Sequence, residues 1–215
     1  METWILNGWA ASPEAWSLCR FERSRLFSYV GQLDGEPEKA MEVADRVVLV
    51  GWSMGGSGAL RLAMEYPEKV AGLVLVAATP RMMKDEGWVG MTERRLAALQ
   101  MGLQLTMGGG FFGVPEGRPN PYMTDTPENL TRGIEYLRAT DLRAALREKS
   151  SLLANIPTEI FQSERDGIVR PSNADFLMSV FPHAKLHMVP GAEHALPVTV
   201  PELIDAAVVR VMGSI

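Results

Sequence analysis

One serine, Ser53, stands in the stretch "VVLVGWSMGGSGALRLAMEYPEKV" (Val47–Val70), with an apolar run before it, a segment of helical period after it, and Gly51, Gly55 and Gly56 crowded around it. A buried strand that runs into Gly-x-Ser-x-Gly and then into a helix forms a nucleophile elbow. The serine is held in a strained turn there, and small residues two positions to either side let strand and helix pass without a clash. The helix that follows starts near Gly56 and brings unpaired backbone N–H groups, so the N–H of Met54 is a candidate donor to a developing oxyanion.

A hydroxyl is a poor nucleophile at neutral pH, so a base must take its proton and an acid must orient that base. Three histidines are available. His187 lies inside the apolar run "KLHMV", where it packs or faces a helix, and His183 lies in the turn before that run, at its wrong end. His194, in the loop "PGAEHALP" just after the run, is at the edge where ligands bind in open parallel sheets, and it is the expected base. The acid should follow another strand at that edge, between serine and histidine in chain order. Asp166 in "TEIFQSERDGIV" does so, with Gly167 beside it for a tight turn. Asp175 falls in the next helix, Glu164 sits nearer the strand, and Asp141 precedes a helical segment. A second oxyanion donor belongs to the loop after the first strand, "ILNGWA", where the N–H of Trp9 is the expected donor and its side chain a pocket wall.

Parallel strands alternating with helices must position these groups. Six runs read as strands: Thr3–Leu6, Leu26–Val30, Arg46–Val50, Ala71–Ala78, Thr158–Ser163 and Lys185–Val189. Their near-continuous apolar character suits strands covered on both faces. Apolar residues at spacings of three and four mark helices in "PEAWSLCRF", "PEKAMEVAD", "GSGALRLAMEYP", "SNADFLMSVF" and "PELIDAAVVRVM", several of them opened by Pro or Ser. The rhythm stops from Pro80 to about Asn155. That insertion contains Met82, Met83, Met91, Met101, Met107 and Met123, six of the thirteen methionines, together with "GGGFFG" (Gly108–Gly113) and the turn-rich "VPEGRPNPY". It reads as a mixed helix and loop lid. Methionine there is either filler in a helical core or an adaptable wall for an acyl chain.

The expected architecture is therefore α/β: a mainly parallel sheet of about six strands flanked by helices. One domain over 1–215 is expected, with a core at 1–79 and 156–215 and a lid insertion at about 80–155. A chain of 215 residues buries about 70% of its unfolded surface around one core. Hydrophobic residues make up 47% and charged residues 22%, and no apolar run approaches the roughly 18 residues a membrane span needs, so a soluble protein without a membrane partner is expected. No export signal is visible, which makes cytoplasm the expected location. A formal charge of −5 argues against nucleic acid. The single cysteine, Cys19, excludes an intrachain disulfide, and no His/Cys spacing suggests a metal; no cofactor is called for.

With these residues assembled, the chain resembles the α/β-hydrolase superfamily, and within it the BioH-type esterases of biotin synthesis, which demethylate pimeloyl-[acyl-carrier protein] methyl ester. The segments "NGWAASPEAW", "VGWSMGG", "YPEKVAGLVLVAATP", "IEYLRATDLRAAL", "DGIV" and "PHAKLHMVPGAEHA" carry the resemblance, in the family's order and over most of the chain outside the middle of the insertion. It implies Ser53 as nucleophile, Asp166 and His194 as its relay partners, and Trp9 and Met54 as contacts to the substrate oxygen. It also implies that "RRLAALQMG" lines an acyl tunnel, which puts Leu96 to Gln100 near substrate, and that the ester is either a small molecule or borne on an acyl carrier protein.

Three departures qualify the resemblance. The loop usually written His-Gly begins here with Asn7. The chain starts almost directly at the superfamily's third strand, which gives about six strands rather than eight. The lid arginines that meet the carrier in the family are reduced to Arg94, Arg95, Arg118 and Arg132 before the helix bearing Arg138, Arg143, Arg147 and Lys149, which is either a substitute basic face or a solvated one. The expected chemistry is hydrolysis of a small alkyl ester at the end of an acyl chain. Thioesters, lactones or carbon-carbon bonds are alternatives for the same three residues, and a noncatalytic binding protein on this fold is a further one.

Overall fold

A computed structural model describes residues 1–106, 114–123 and 125–214, the side chains of 104–106 excepted. The expected parallel sheet is present: β1 (Glu2–Leu6), β2 (Ser24–Phe27), β3 (Val47–Trp52), β4 (Val70–Val76), β5 (Thr158–Ser163) and β6 (Lys185–Val189) form six strands in the order β2-β1-β3-β4-β5-β6, and every pairing is parallel. Alternation decides which face each side chain joins. Val48 and Val50 of β3, with Val74 and Val76 of β4, enter one apolar cluster; Val47, Leu49, Leu73 and Leu75 enter the other. Both faces are thus covered, which is why β3 and β4 are apolar without a polar side.

Among the described residues ten α-helices link and cover the strands: α1 (Tyr29–Leu33), α2 (Glu36–Val43), α3 (Met54–Glu65), α4 (Glu93–Thr106), α5 (Pro127–Ala139), α6 (Arg143–Glu148), α7 (Ser150–Leu153), α8 (Asn173–Val180), α9 (Leu196–Thr199) and α10 (Pro201–Gly213). On one face α10 packs Ile204, Ala207, Val208 and Val211 against the sheet, joined by α1, α4 and α5, while Leu146 of α6 and Leu153 of α7 join the other face. On the other, Met41 of α2, Leu60 and Ala63 of α3, and Leu177 and Val180 of α8 do the same. Among the described residues no helix is long and apolar enough to cross a membrane.

Two local expectations are corrected. The run Leu26–Val30 is not one strand: β2 ends at Phe27, because the Ser28 side chain accepts the N–H of Gly31 and caps α1, which takes Tyr29 and Val30. The pattern "PEAWSLCRF" yields only one 3-10 turn, Pro13–Trp16. The chain then leaves the helix, and the N–H of Arg20 is held by both carboxylate oxygens of Asp205 in α10, at 2.9 and 3.0 Å. A long-range acceptor replaces the helical one there, and no local spacing announces it.

The stretch between β4 and β5 opens with short bridges (Arg81 to Asp141, Met83 to Met91, Asp85 to Trp88) and continues through α4, α5, α6 and α7. Thr126 caps α5 by accepting the N–H of Asn129, with Pro127 in its first turn. Arg143 binds Asp85 and Asp141, at 2.7 and 2.8 Å, and Arg81 binds Asp141 at 2.9 Å, which fastens the far end of the insertion to the chain leaving β4. Met107 and the "GGGFFG" stretch lie outside the described residues.

Candidate active site

The strand order reverses between β1 and β3: the chain runs outward to β2 in one direction and through β4, β5 and β6 in the other. In an open parallel sheet the crevice beyond the carboxyl ends of the strands at such a reversal is where ligands bind. The loops leaving β1 and β3 meet there, and they carry Asn7 to Ser12 and Ser53.

Close packing of backbone shapes the elbow. A Cβ at Gly51 would fall 2.5 Å from the carbonyl oxygen of Gly55, and one at Gly55 would fall 2.0 Å from that of Leu6, both well inside contact distance. Absent side chains at 51 and 55 are what let α3 start against β1 and β3. Helix α3 begins at Met54, two residues before the expected start, directly behind a Ser53 whose φ is 55° and ψ −116°. That left-handed φ lifts the hydroxyl off the strand toward the crevice.

His194 stands between the other two predicted partners. Its Nε2 is 2.9 Å from the Ser53 hydroxyl oxygen, and its Nδ1 is 2.8 Å from Oδ2 of Asp166. A carboxylate offers acceptors only, so Nδ1 carries the proton and the Nε2 lone pair faces the serine O–H. All three residues are buried. The other carboxylate oxygen, Oδ1 of Asp166, accepts the N–H groups of Ile168 and Val169 at 2.8 and 2.9 Å, which fixes the plane of the acid. The loops that bear acid and base are laced together: Ser163 donates its hydroxyl to the carbonyl of Glu193 at 2.5 Å, and the N–H of Arg165 bonds the carbonyl of Ala192.

Trp52 holds the base from below. Its indole N–H donates to the carbonyl oxygen of His194 at 3.1 Å, and its ring lies 5.7 Å from the imidazole. The sequence places Trp52 in the elbow motif, as a neighbour of the pocket, but no local signal announces its bond to a loop so distant in the chain. The rejected histidines lie elsewhere. His187 stacks on Phe161 and pairs with Glu159 at 2.7 Å, and His183 is exposed in the turn before β6.

The backbone N–H groups of Trp9 and Met54 form no hydrogen bond among the described residues. The Trp9 side chain lines the small cavity over Ser53 and donates its indole N–H to the carbonyl of Leu130 in α5 at 3.1 Å. That cavity, about 20 Å³, is walled by Met82, Leu99, Leu103, Tyr122, Leu137 and Ile168. A cleft of about 200 Å³ adjoins it, sharing Leu99, Ile168 and His194 and adding Arg95 at its rim. The smaller space is close to what one water needs, so any larger group would have to displace its lining side chains. On α4 the residues lining these spaces are Arg95, Ala98, Leu99 and Leu103. Leu96 is fully buried in the core cluster, and Gln100 bonds the Thr131 hydroxyl at 3.4 Å; neither lines the two spaces. Tyr122, unnoticed in the sequence, packs its ring 5.6 Å from Trp52. Burial, and then the charges of Asp166 and Glu193, push its phenol well above the ordinary value, so its buried hydroxyl stays neutral.

A family model described as "Alpha/beta hydrolase family" matches residues 6–207. Among curated relatives, the pimeloyl-[acyl-carrier protein] methyl ester esterase of Nitrosospira multiformis is 29% identical over 247 aligned positions, covering 96% of this chain and 92% of the relative. The protein of the same name from Salmonella paratyphi A is 26% identical, covering 98% and 93%. Among solved structures, a bromoperoxidase from Bacillus anthracis superimposes with a TM-score of 0.76 at 17% identity, covering 99% of this chain and 91% of that one. The last likeness speaks to fold alone.

Proposed function

The chain belongs to the alpha/beta hydrolase family, and on that premise we propose that it is a serine-dependent carboxylic ester hydrolase working through an acyl-enzyme. The observation that carries this reading is the His194 ring, bonded through one nitrogen to the Ser53 hydroxyl and through the other to Asp166. Ser53 Oγ attacks the ester carbonyl carbon while His194 Nε2 takes the hydroxyl proton, and Asp166 steadies the imidazolium that forms. The carbonyl oxygen, now an oxyanion, is received by the N–H groups of Trp9 and Met54, whose freedom from other acceptors supports this role. The tetrahedral intermediate collapses as His194 returns its proton to the leaving alcohol. Water, activated by the same imidazole, then attacks the acyl-serine and releases the acid.

The substrate we infer is a small alkyl ester at the end of an acyl chain, and the names of the relatives support the pimeloyl-[acyl-carrier protein] methyl ester of biotin synthesis. The apolar wall of Met82, Leu99, Leu103, Leu137 and Ile168 suits the methylene chain. For an acidic carrier, Arg94, Arg95 and Arg118 are exposed cations of the insertion, Arg95 also donating to the carbonyl of Gly167 at 2.6 Å. Arg138 and Arg143 are engaged with Glu93 and with Asp85 and Asp141. The test is methanol release from that carrier-bound methyl ester. Wild-type protein turns it over and Ser53→Ala loses at least about a thousandfold in kcat; turnover that survives in Ser53→Ala, or a well-folded protein that releases no methanol and does not restore growth of a biotin-requiring strain lacking its own esterase, contradicts the reading.

A further inference from the structure

We infer that Asn7 is the positioning residue of the oxyanion loop: its side-chain amide, clamped between two carbonyls and two N–H groups, sets where the N–H of Trp9 points. This inference rests on the esterase reading above.

The Asn7 side chain is fully buried and completely used. Its NH2 donates to the carbonyl oxygens of Ala11 and Ser12, each at 3.0 Å. Its Oδ1 accepts the indole N–H of Trp16 at 3.0 Å and the N–H of Gly8 at 3.2 Å. Two acceptors on one side and two donors on the other fix the orientation of the amide, because a flip would oppose like groups at all four contacts. The main chain of Asn7 is held too. Its N–H reaches the carbonyl of Phe27 and its carbonyl accepts the Gln32 side chain at 2.9 Å, so the amide projects from an anchored point.

What the amide holds is a tight reversal. The N–H of Ala11 bonds the carbonyl of Gly8, and Ala10 between them has a φ of 53°, which an L-residue other than glycine adopts only under constraint. The outer side of the same reversal is stitched to the insertion, where the N–H of Ser12 meets the carbonyl of Pro121 at 2.8 Å and the N–H of Met123 meets that of Ala10 at 2.9 Å. Trp9 sits at the apex of this doubly held loop, its N–H turned to no acceptor among the described residues. The Asn7 side chain is the clamp that acts from within the loop beside the Ala11 to Gly8 bond, and it needs a group that both donates twice and accepts twice in one plane. An aspartate of the same shape cannot donate, and would set an oxygen against the carbonyls of Ala11 and Ser12.

The experiment compares wild type with Asn7→Asp in ester turnover, in the Kd of a trifluoromethyl ketone that forms the tetrahedral adduct, and in the Kd of an unreactive ether analogue of the same ester. The expected result is a kcat roughly ten- to a hundredfold lower, ketone binding weaker by a similar factor, and KM and ether binding within about twofold, since a displaced oxyanion donor harms only the tetrahedral state. A kcat unchanged from wild type, or a loss shared equally by the ether, overturns the inference while leaving the esterase reading intact. A wild type that neither turns over ester nor forms the ketone adduct removes both. Should Asn7→Asp not fold, Trp16→Phe, which takes away one N–H that fixes the amide, is expected to show the same split at several-fold size, and equal effects on both ligands there overturn it.

Discussion

At the scale of single residues, the hydroxyl of Ser53 is held in a backbone conformation that costs stability, with φ at 55° and ψ at −116°. Such a position costs on the order of 1–3 kcal/mol for a residue bearing a Cβ, and glycine escapes most of that cost while adding up to about 1 kcal/mol of freedom to the unfolded chain. Two inactive variants are therefore expected to differ in stability. With about 2 kcal/mol of strain relieved and about 1 kcal/mol of freedom set against it, Ser53→Gly should melt above Ser53→Ala by about 2–4 °C, at about 2–4 °C per kcal/mol for a chain of this size. Thermal unfolding of both decides it, and equal midpoints would show that the turn stores no more strain than the freedom glycine adds to the unfolded chain, about 1 kcal/mol. The three residues that the fold brings into one hydrogen-bonded array could be picked out because each leaves a local trace: Ser53 has the elbow glycines, and Asp166 and His194 each follow an apolar run. Their supports leave none. Asn7 holds carbonyls of its own loop and the indole of Trp16, Trp52 reaches His194 across the sheet, and Tyr122 enters the pocket from the insertion. A long-range hydrogen bond has no period to read.

At the scale of elements, the insertion is fastened by charge at one end and by backbone pairing at the other. The Arg143 guanidinium, bonded to Asp141, outweighs the opposing effect of burial and, with a backbone N–H and Arg81, holds the Asp141 carboxyl down to about 2. A carboxyl depressed in the folded state stabilises above its unfolded value, near 4, and that stabilisation is lost as pH falls toward 2. The junction of residues 81–91 with 141–148 is thus expected to lose hydrogen-exchange protection between about pH 4 and pH 2, ahead of the sheet. Asp141→Asn should weaken that junction at neutral pH and abolish its acid step; an acid step that persists unchanged in the variant would assign it to other carboxyls. Elements with a strong period were read with nearly their observed bounds, β5 and β6 above all. The boundary between β2 and α1 was misread because Tyr29 and Val30 are as apolar as a strand requires, and only the Ser28 cap distinguishes them. The insertion resisted because its helices pack on the site and on each other through few apolar positions, without the regular alternation that a sheet imposes.

At the scale of the molecule, strand order brings the chemistry together. The reversal between β1 and β3 leaves a crevice at the carboxyl edge, and loops after β1, β3, β5 and β6 empty their functional groups into it, although those groups span the chain from Asn7 to His194. The alternation of runs and helical segments was enough to foresee a parallel sheet of about six strands, since chain order and right-handed crossovers leave few other arrangements. Which ester enters was not, because the walls over Ser53 come from the insertion. The central claim is that Ser53, served by His194, is the nucleophile. Its most direct test is reaction of the whole protein with a fluorophosphonate, followed by intact mass and peptide mapping. One adduct per chain, on the peptide containing Ser53, absent in Ser53→Ala and strongly slowed in His194→Ala, is the predicted result; an adduct on another residue, or a folded protein that does not react, would contradict it.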